Sequence, residues 1–221
     1  MVASPHKPAR YVLRHARAAE TRAAIRRAAA DSFASVGLAG ARTEAIARAA
    51  GVNKSLLHYY FKSKEGLYSA VLEEHMKEFS QRAQEILSAP GSPSETVLRF
   101  VNLHFDFVSA RPYYPLLFQR LMMTGGQPLK RLMRKYLLPV GAGLMRVIAG
   151  GIRRREFRRV DPGQMAISLV GVTVFYFSSA PIVRVLRGIE PFEAMHLKKR
   201  KEHVLELVRF GLFHRPGGKK P

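Results

Sequence analysis

A chain of 221 residues, 47% of them hydrophobic, is long enough to bury a sizeable core in one domain or two, and its 37 Lys+Arg against 16 Asp+Glu give a formal charge of +21. With no cysteine, disulfides, thiolate metal sites and cysteine nucleophiles are excluded. The positive balance favours a polyanionic partner, nucleic acid first and an anionic membrane surface second, because neutralising phosphates releases condensed counterions.

Residues 1–20 hold Lys7, Arg10, Arg14 and Arg17 without an apolar stretch, so they are expected to form a basic arm rather than a secretion signal. Such an arm suits a DNA backbone or minor groove and equally suits a solvated tail. From Ala24 to Phe213 apolar residues recur at helical spacing with no alternating β pattern, which predicts an all-α protein. The first helix is predicted over 21–36, with Ile25, Ala29 and Phe33 on one stripe and Gly37 as the residue that ends it. Its other face is Arg22, Arg26 and Arg27. Thr43 is the expected N-cap of a short second helix, with Glu44 in its first turn where the helix dipole favours an acid. That helix stops at Gly51. Asn53 is expected to cap a third helix over 54–60, and Ser63 a long fourth through Leu67, Val71, Met76 and Phe79 toward Leu87. Pro90-Gly91-Ser92-Pro93 then breaks the chain.

Two short helices around a glycine turn, after a longer helix, make a helix-turn-helix. Ile46, Ala47 and Ala50 are small or apolar at helical spacing, so the second helix can sit close to its neighbours; Gly51 permits the turn and Val52 fills the core beneath it. The run Thr43-Glu44-Ala45-Ile46-Ala47-Arg48-Ala49-Ala50-Gly51-Val52-Asn53-Lys54-Ser55-Leu56-Leu57-His58-Tyr59-Tyr60-Phe61-Lys62-Ser63-Lys64-Glu65-Gly66-Leu67 resembles the TetR-family signature. It departs at His58, where the family most often has Tyr.

The resemblance implies an all-α fold with a three-helix DNA-binding domain over 21–67, a helical ligand-binding and dimerisation domain over 68–214, and a flexible basic tail over 215–221. It also implies a cytoplasmic, sequence-specific transcriptional regulator, a homodimer on double-stranded DNA released from a near-palindromic operator by a small-molecule effector. By the same similarity Arg42, Thr43, Tyr59, Tyr60 and Lys64 hold the DNA backbone, contacts that fix register rather than sequence. Asn53, Lys54, Ser55, Leu56 and His58 fall where family members reach base edges, with Lys54 suited to guanine O6/N7 and Leu56 to a thymine methyl. Tyr60 and Phe61 also suit the small core, and Lys62 suits either a phosphate or plain solvent.

Beyond the break, helices are predicted over 94–109, 112–124, 127–152, 162–184 and 193–213, the third kinked at Pro139, which removes a backbone donor. From Pro162 to Val183 no residue is charged, a run long enough to cross a bilayer. Gln164, Ser168, Thr173, Ser178, Ser179 and Pro181 dilute it, and burial between subunits is the expected explanation, so no membrane partner is assigned. The resemblance implies that the last two helices pair with their copies, through this run and the stripe Val204, Leu207, Val208, Gly211 and Leu212. It also implies a pocket within the second domain. Leu103, Phe107, Phe118, Met122, Met145, Phe175 and Tyr176 are its candidate lining, with His104, Tyr113, Tyr114 and Arg120 as polar anchors, although aromatic and Met stripes are also ordinary core.

Charge is not confined to the reading unit: 12 Lys+Arg against 4 Asp+Glu give +8 over residues 1–66, and the rest carries +13. A strong DNA field, a compositional bias of the genome or an anion-binding second domain each fits this surplus. No phosphate loop, G-x-S-x-G elbow or H-E-x-x-H pair is present, so neither an enzyme, a metal site nor a cofactor is expected. The alternative is a DNA binder driven by charge alone or by membrane association, without an inducer.

Overall fold

The computed structural model describes residues 9–111, 114–124 and 126–214. These residues are helical with no strand among them, matching the all-α expectation, and divide into two compact units, one through Glu74 and the other from His75.

The first unit is built from α1 (Ala9–Gly40), α2 (Thr43–Ala49), α3 (Lys54–Phe61) and the first half of α4 (Lys64–Ser88). Ile25, Ala29 and Phe33 of α1 are buried as their spacing predicts, and meet Ile46 and Ala47 of α2, Leu57 of α3, and Leu67, Tyr68 and Val71 of α4 as the unit's core. Phe33 and Tyr68 pack edge to face with ring centres 5.1 Å apart. Each such aliphatic or aromatic side chain removed from water contributes about 1.5–3 kcal/mol, so this small core has few to spare. Arg26 on the outer face of α1 forms a two-pronged ion pair with Glu74.

α1 begins at Ala9 rather than near Thr21. The stretch from 9 to 20 lacks an apolar stripe, but it is rich in Ala and Arg and free of Gly and Pro, and these strong helix formers extend the helix through most of the expected arm. Gly37 interrupts α1 at φ 72, as its place at the end of the stripe predicts. Lys7 and the tail over 215–221 lie outside the described residues, as does Tyr113.

The second unit holds the rest of α4 with α5 (Pro93–Ser109), α6 (Tyr114–Thr124), α7 (Gly126–Leu132), α8 (Leu138–Arg153), α9 (Pro162–Ser178), α10 (Ala180–Arg187) and α11 (Ala194–Leu212). Ser92 and Glu95 close a reciprocal cap at the start of α5, with Pro93 in its first turn. The core joins Phe79 of α4, Val97, Phe100 and Phe107 of α5, Leu144 and Ile148 of α8, Leu169 of α9 and Val204, Val208 and Leu212 of α11. The connection after α8 is clasped to the end of α11: Phe157 stacks on Phe213 at 5.1 Å, and the Arg158 N–H donates to the Leu212 carbonyl at 2.9 Å.

Two predicted helices are divided. Instead of one helix over 127–152 with a kink, a π-helical stretch, Met133–Leu137, separates α7 from α8 immediately before Pro139. A wider turn accommodates the proline ring and its missing donor. The uncharged run also breaks, at Ser179, into α9 and α10, which meet at 69°. Pro181 cannot donate to a preceding carbonyl, and the hydroxyls of Ser178 and Ser179 take the Phe175 carbonyl at the bend. Among the described residues, no single helix is long and apolar enough to cross a membrane.

Candidate nucleic-acid interface

The helix-turn-helix is assembled from local signals. Ala50 and Val52 close the end of α2 by donating to the carbonyls of Ile46 and Ala47, both at 2.9 Å, and Gly51 between them sits at φ 68, where a side chain would be strained. Asn53 Oδ1 accepts the Leu56 N–H at 2.7 Å, the predicted cap of α3. Ser63 Oγ likewise accepts the Gly66 N–H at 2.9 Å and starts α4. Thr43 is not the cap expected of it. α2 starts at Thr43 itself, Arg42 occupies the capping position without a side-chain bond, and the Thr43 hydroxyl leans toward Glu44 at 3.4 Å.

These bonds orient α3 one way. Leu57 is wholly buried, whereas Asn53, Lys54 and Ser55 at the leading end are exposed, with Leu56 and His58 half-buried beside them. Tyr59 is 67% exposed. It is flanked by the Lys62 ammonium 5.5 Å from its ring centre and by Tyr60 edge-on at 5.2 Å. Tyr60 is half-buried beneath the Arg22 guanidinium at 4.8 Å, so one of the cations on the outer face of α1 reaches over α3. Lys62 itself holds φ 64 at the end of α3, a conformation costly for a side-chain-bearing residue.

Between the starts of α2 and α4 and the side of α3 lies an open concavity of about 410 Å³, lined by Arg42, Thr43, Glu44, Lys54, His58, Lys62, Ser63 and Lys64. Four Lys/Arg side chains and two hydroxyls on one patch suit a phosphate backbone. Not all are free. Lys64 Nζ donates to the carbonyls of Ala39 and Ala41 at 3.2 Å each, so this candidate backbone contact also ties down the turn after α1. His58 Nδ1 lies 3.3 Å from the Lys62 carbonyl, which a protonated Nδ1 satisfies while Nε2 stays available. Lys54 is in an ion pair with Glu44, whose carboxyl is held down at about 2 by the hydrogen bond from that ammonium. Local sequence pattern carries no sign of this pair, because its members lie in different helices.

The candidate ligand residues are not gathered into one cavity. Leu103 and Phe107 lie in the packed core of the second unit, and Phe118 stacks on Tyr114 at 6.2 Å. Tyr176 is buried, and its hydroxyl donates to the Pro191 carbonyl at 3.1 Å, whereas its neighbour Phe175 is 68% exposed. Met122 is also exposed, pointing away from the core that Leu121 enters. Met145 instead lines an open groove of about 960 Å³ with Leu87, Pro139, Ala142, Gly143 and Arg146. Of the polar anchors, His104 stands out. It is buried against Phe79 and Phe100, its Nδ1 has no hydrogen-bond partner, and burial depresses its pKa to about 4. Burial also pushes the Tyr114 hydroxyl up.

The stripe on α11 is also resolved. Val204, Val208 and Leu212 face the chain's own core, while Leu207 and Phe210 are exposed, because one side of α11 is already taken by α5 and α9. On α9, Ile167, Val170 and Phe175 are exposed in the same way.

Residues 25–71 match the family model for bacterial regulatory proteins of the tetR family, and residues 93–208 match the tetracyclin repressor-like C-terminal domain. The HTH-type transcriptional regulator RutR of Escherichia coli strain K12 is 27% identical over 189 residues, covering 86% of this chain and 89% of that protein. A TetR/AcrR-family regulator from Thermobifida fusca has the same fold, with a TM-score of 0.68 at 24% identity over 88% of this chain and 98% of its own. So has the regulator FadR from Bacillus subtilis, solved with stearoyl-CoA, at a TM-score of 0.66 and 20% identity, covering 84% of this chain and 96% of its own.

Proposed function

Because this chain belongs to the tetR family of bacterial regulatory proteins, and so is a DNA-binding transcriptional regulator, we propose that it is a cytoplasmic homodimeric repressor that leaves a near-palindromic operator when a small molecule binds its C-terminal domain. In this reading residues 21–67 read DNA and residues 68–214 bind ligand and partner. The observation that carries the proposal is the exposed leading end of α3: Asn53, Lys54 and Ser55 face outward while Leu57 anchors the helix from behind. Arg42, Thr43, Tyr59, Tyr60 and Lys64 hold phosphates, and Asn53, Lys54, Ser55, Leu56 and His58 meet base edges.

Exposed Ile167, Val170 and Phe175 of α9, with Leu207 and Phe210 of α11, support a second copy packed on these two helices. Two recognition helices held about 34–36 Å apart, or a multiple of that, match one duplex turn. An effector acts by binding one spacing better than the other. His104, buried with an unmet nitrogen against the rings of Phe79 and Phe100, is the polar group we assign to ligand recognition. That FadR was solved with stearoyl-CoA supports a ligand with an apolar portion.

Selection of bound sequences from a random DNA pool tests the reading. A regulator of this kind enriches one inverted repeat and keeps its preference as salt rises, whereas a binder driven by charge alone enriches none and loses every duplex together.

A further inference from the structure

Glu44 is the one acid among the residues that line the basic concavity beside α3, where Arg42, Lys54, Lys62 and Lys64 gather. A carboxylate facing a polyanion is unfavourable, so its presence there calls for a chemical reason. Three features of its setting supply one. It stands in the first turn of α2, where the helix dipole favours it, with one oxygen toward the Thr43 hydroxyl and the other on the Lys54 ammonium. Both partners of the ion pair are about half exposed, so the pair faces solvent and any approaching duplex rather than the core. Lys54 is the first residue of α3, so the pair fixes a cation at the leading end of the recognition helix.

A free lysine at that position attaches to phosphates, which every sequence offers. A lysine held by Glu44 must be given something better before it leaves, and Glu44 must then find another donor or face the phosphates uncompensated. A G·C pair meets both needs: guanine O6 and N7 accept from an ammonium, and the cytosine N4 amine donates to a carboxylate. We infer that Glu44 is a specificity-determining residue that withholds Lys54 from phosphates and releases it where a G·C pair satisfies both charges. The inference rests on α3 being the reading helix, as proposed above.

The test uses the full-length chain, the sequence it selects from a random pool, and a scrambled duplex of equal length. In Glu44→Gln the shape is kept and the charge is lost. Affinity for the scrambled duplex then rises several-fold and its salt dependence steepens by about one phosphate contact, while preference for G·C at one position of each half-site falls roughly tenfold. Lys54→Met removes the same G·C preference without raising scrambled-duplex affinity, and the double variant adds little further loss, as expected of two groups acting as a unit. If Glu44→Gln shifts both duplexes equally, or leaves the G·C preference intact while the natural chain selects an operator, the inference is overturned and the reading helix stands. If the natural chain selects no sequence at all, the assignment of α3 falls and the inference falls with it.

Discussion

Gly66 lies so close to the end of α3 that a Cβ added to it would sit 2.2 Å from the Phe61 carbonyl oxygen. The contact is with backbone, which cannot swing aside as the tip of a side chain can. The first turn of α4 therefore sets where α3 ends, and through α3 where Lys54 and Ser55 stand.

Gly66→Ala is expected to lower stability by about 1–3 kcal/mol, the usual cost of forcing extra volume into a packed site. Operator affinity should fall with it because α3 must shift. Gly141→Ala on α8, where a Cβ would meet nothing within 4 Å, is the control, expected to be neutral or to stabilise by up to ~1 kcal/mol. Chemical denaturation and DNA titration of the two variants check both statements.

Asn53 serves α3 as its cap, so Asn53→Ala should cost about 1 kcal/mol and weaken operator binding as the leading turn frays. Asn53→Asp restores the cap and therefore the stability, yet places a carboxylate toward the duplex. Denaturation midpoints and binding constants should consequently part company in the Asp variant; if they recover together, residue 53 does not face DNA.

His104 is neutral in the folded chain, its pKa lowered by burial from 6.5 to about 4. Between those values the unfolded chain binds the extra proton and the folded chain does not, so stability is full above pH 6.5 and is lost as pH falls toward 4. The loss attributable to this imidazole is on the order of 3 kcal/mol. His104→Leu should flatten the dependence of unfolding free energy on pH across that window, measured against the natural chain by urea titration at several pH values. An unchanged slope would show that the imidazole titrates normally.

Phe210 is 64% exposed on α11, beside Leu207 and on the opposite side from the buried Val204 and Val208. Phe210→Glu combined with Val170→Glu on α9 should convert a dimer into a folded monomer, seen by sedimentation with helical content retained. Operator affinity should drop by orders of magnitude because the second half-site no longer binds in concert. Deleting α9 to α11 would be a poorer test, since Leu169, Val204 and Leu212 belong to the chain's own core.

The reading unit was legible in the sequence because its punctuation is local. Asn53 and Ser63 cap through residues three positions on, and Gly51 alone tolerates its turn, so boundaries there follow from neighbouring residues. Relations across helices were not legible. The family resemblance set Phe175 and Tyr176 together as candidate pocket lining, yet adjacent residues point about 100° apart on a helix, and only the packing of α9 decides that Tyr176 goes inward. The same blindness hid the Lys54–Glu44 pair. The break at Ser179 was carried by Ser178, Ser179 and Pro181, weak signals beneath continuous hydropathy, and the early start of α1 by helix propensity without any apolar stripe.

The cap at Asn53 also limits how this protein can be redesigned. Of its two amide atoms the oxygen is taken up by the Leu56 N–H, so in the proposed DNA complex the nitrogen is the group left to address a base. Few residue types can replace it without unravelling the helix start, and they differ mainly in whether they offer such a donor. A programme to retarget the regulator to a new operator therefore has a narrow alphabet at position 53 and a broad one at Ser55 and His58, and libraries concentrated on the latter pair should yield more folded, altered-specificity variants.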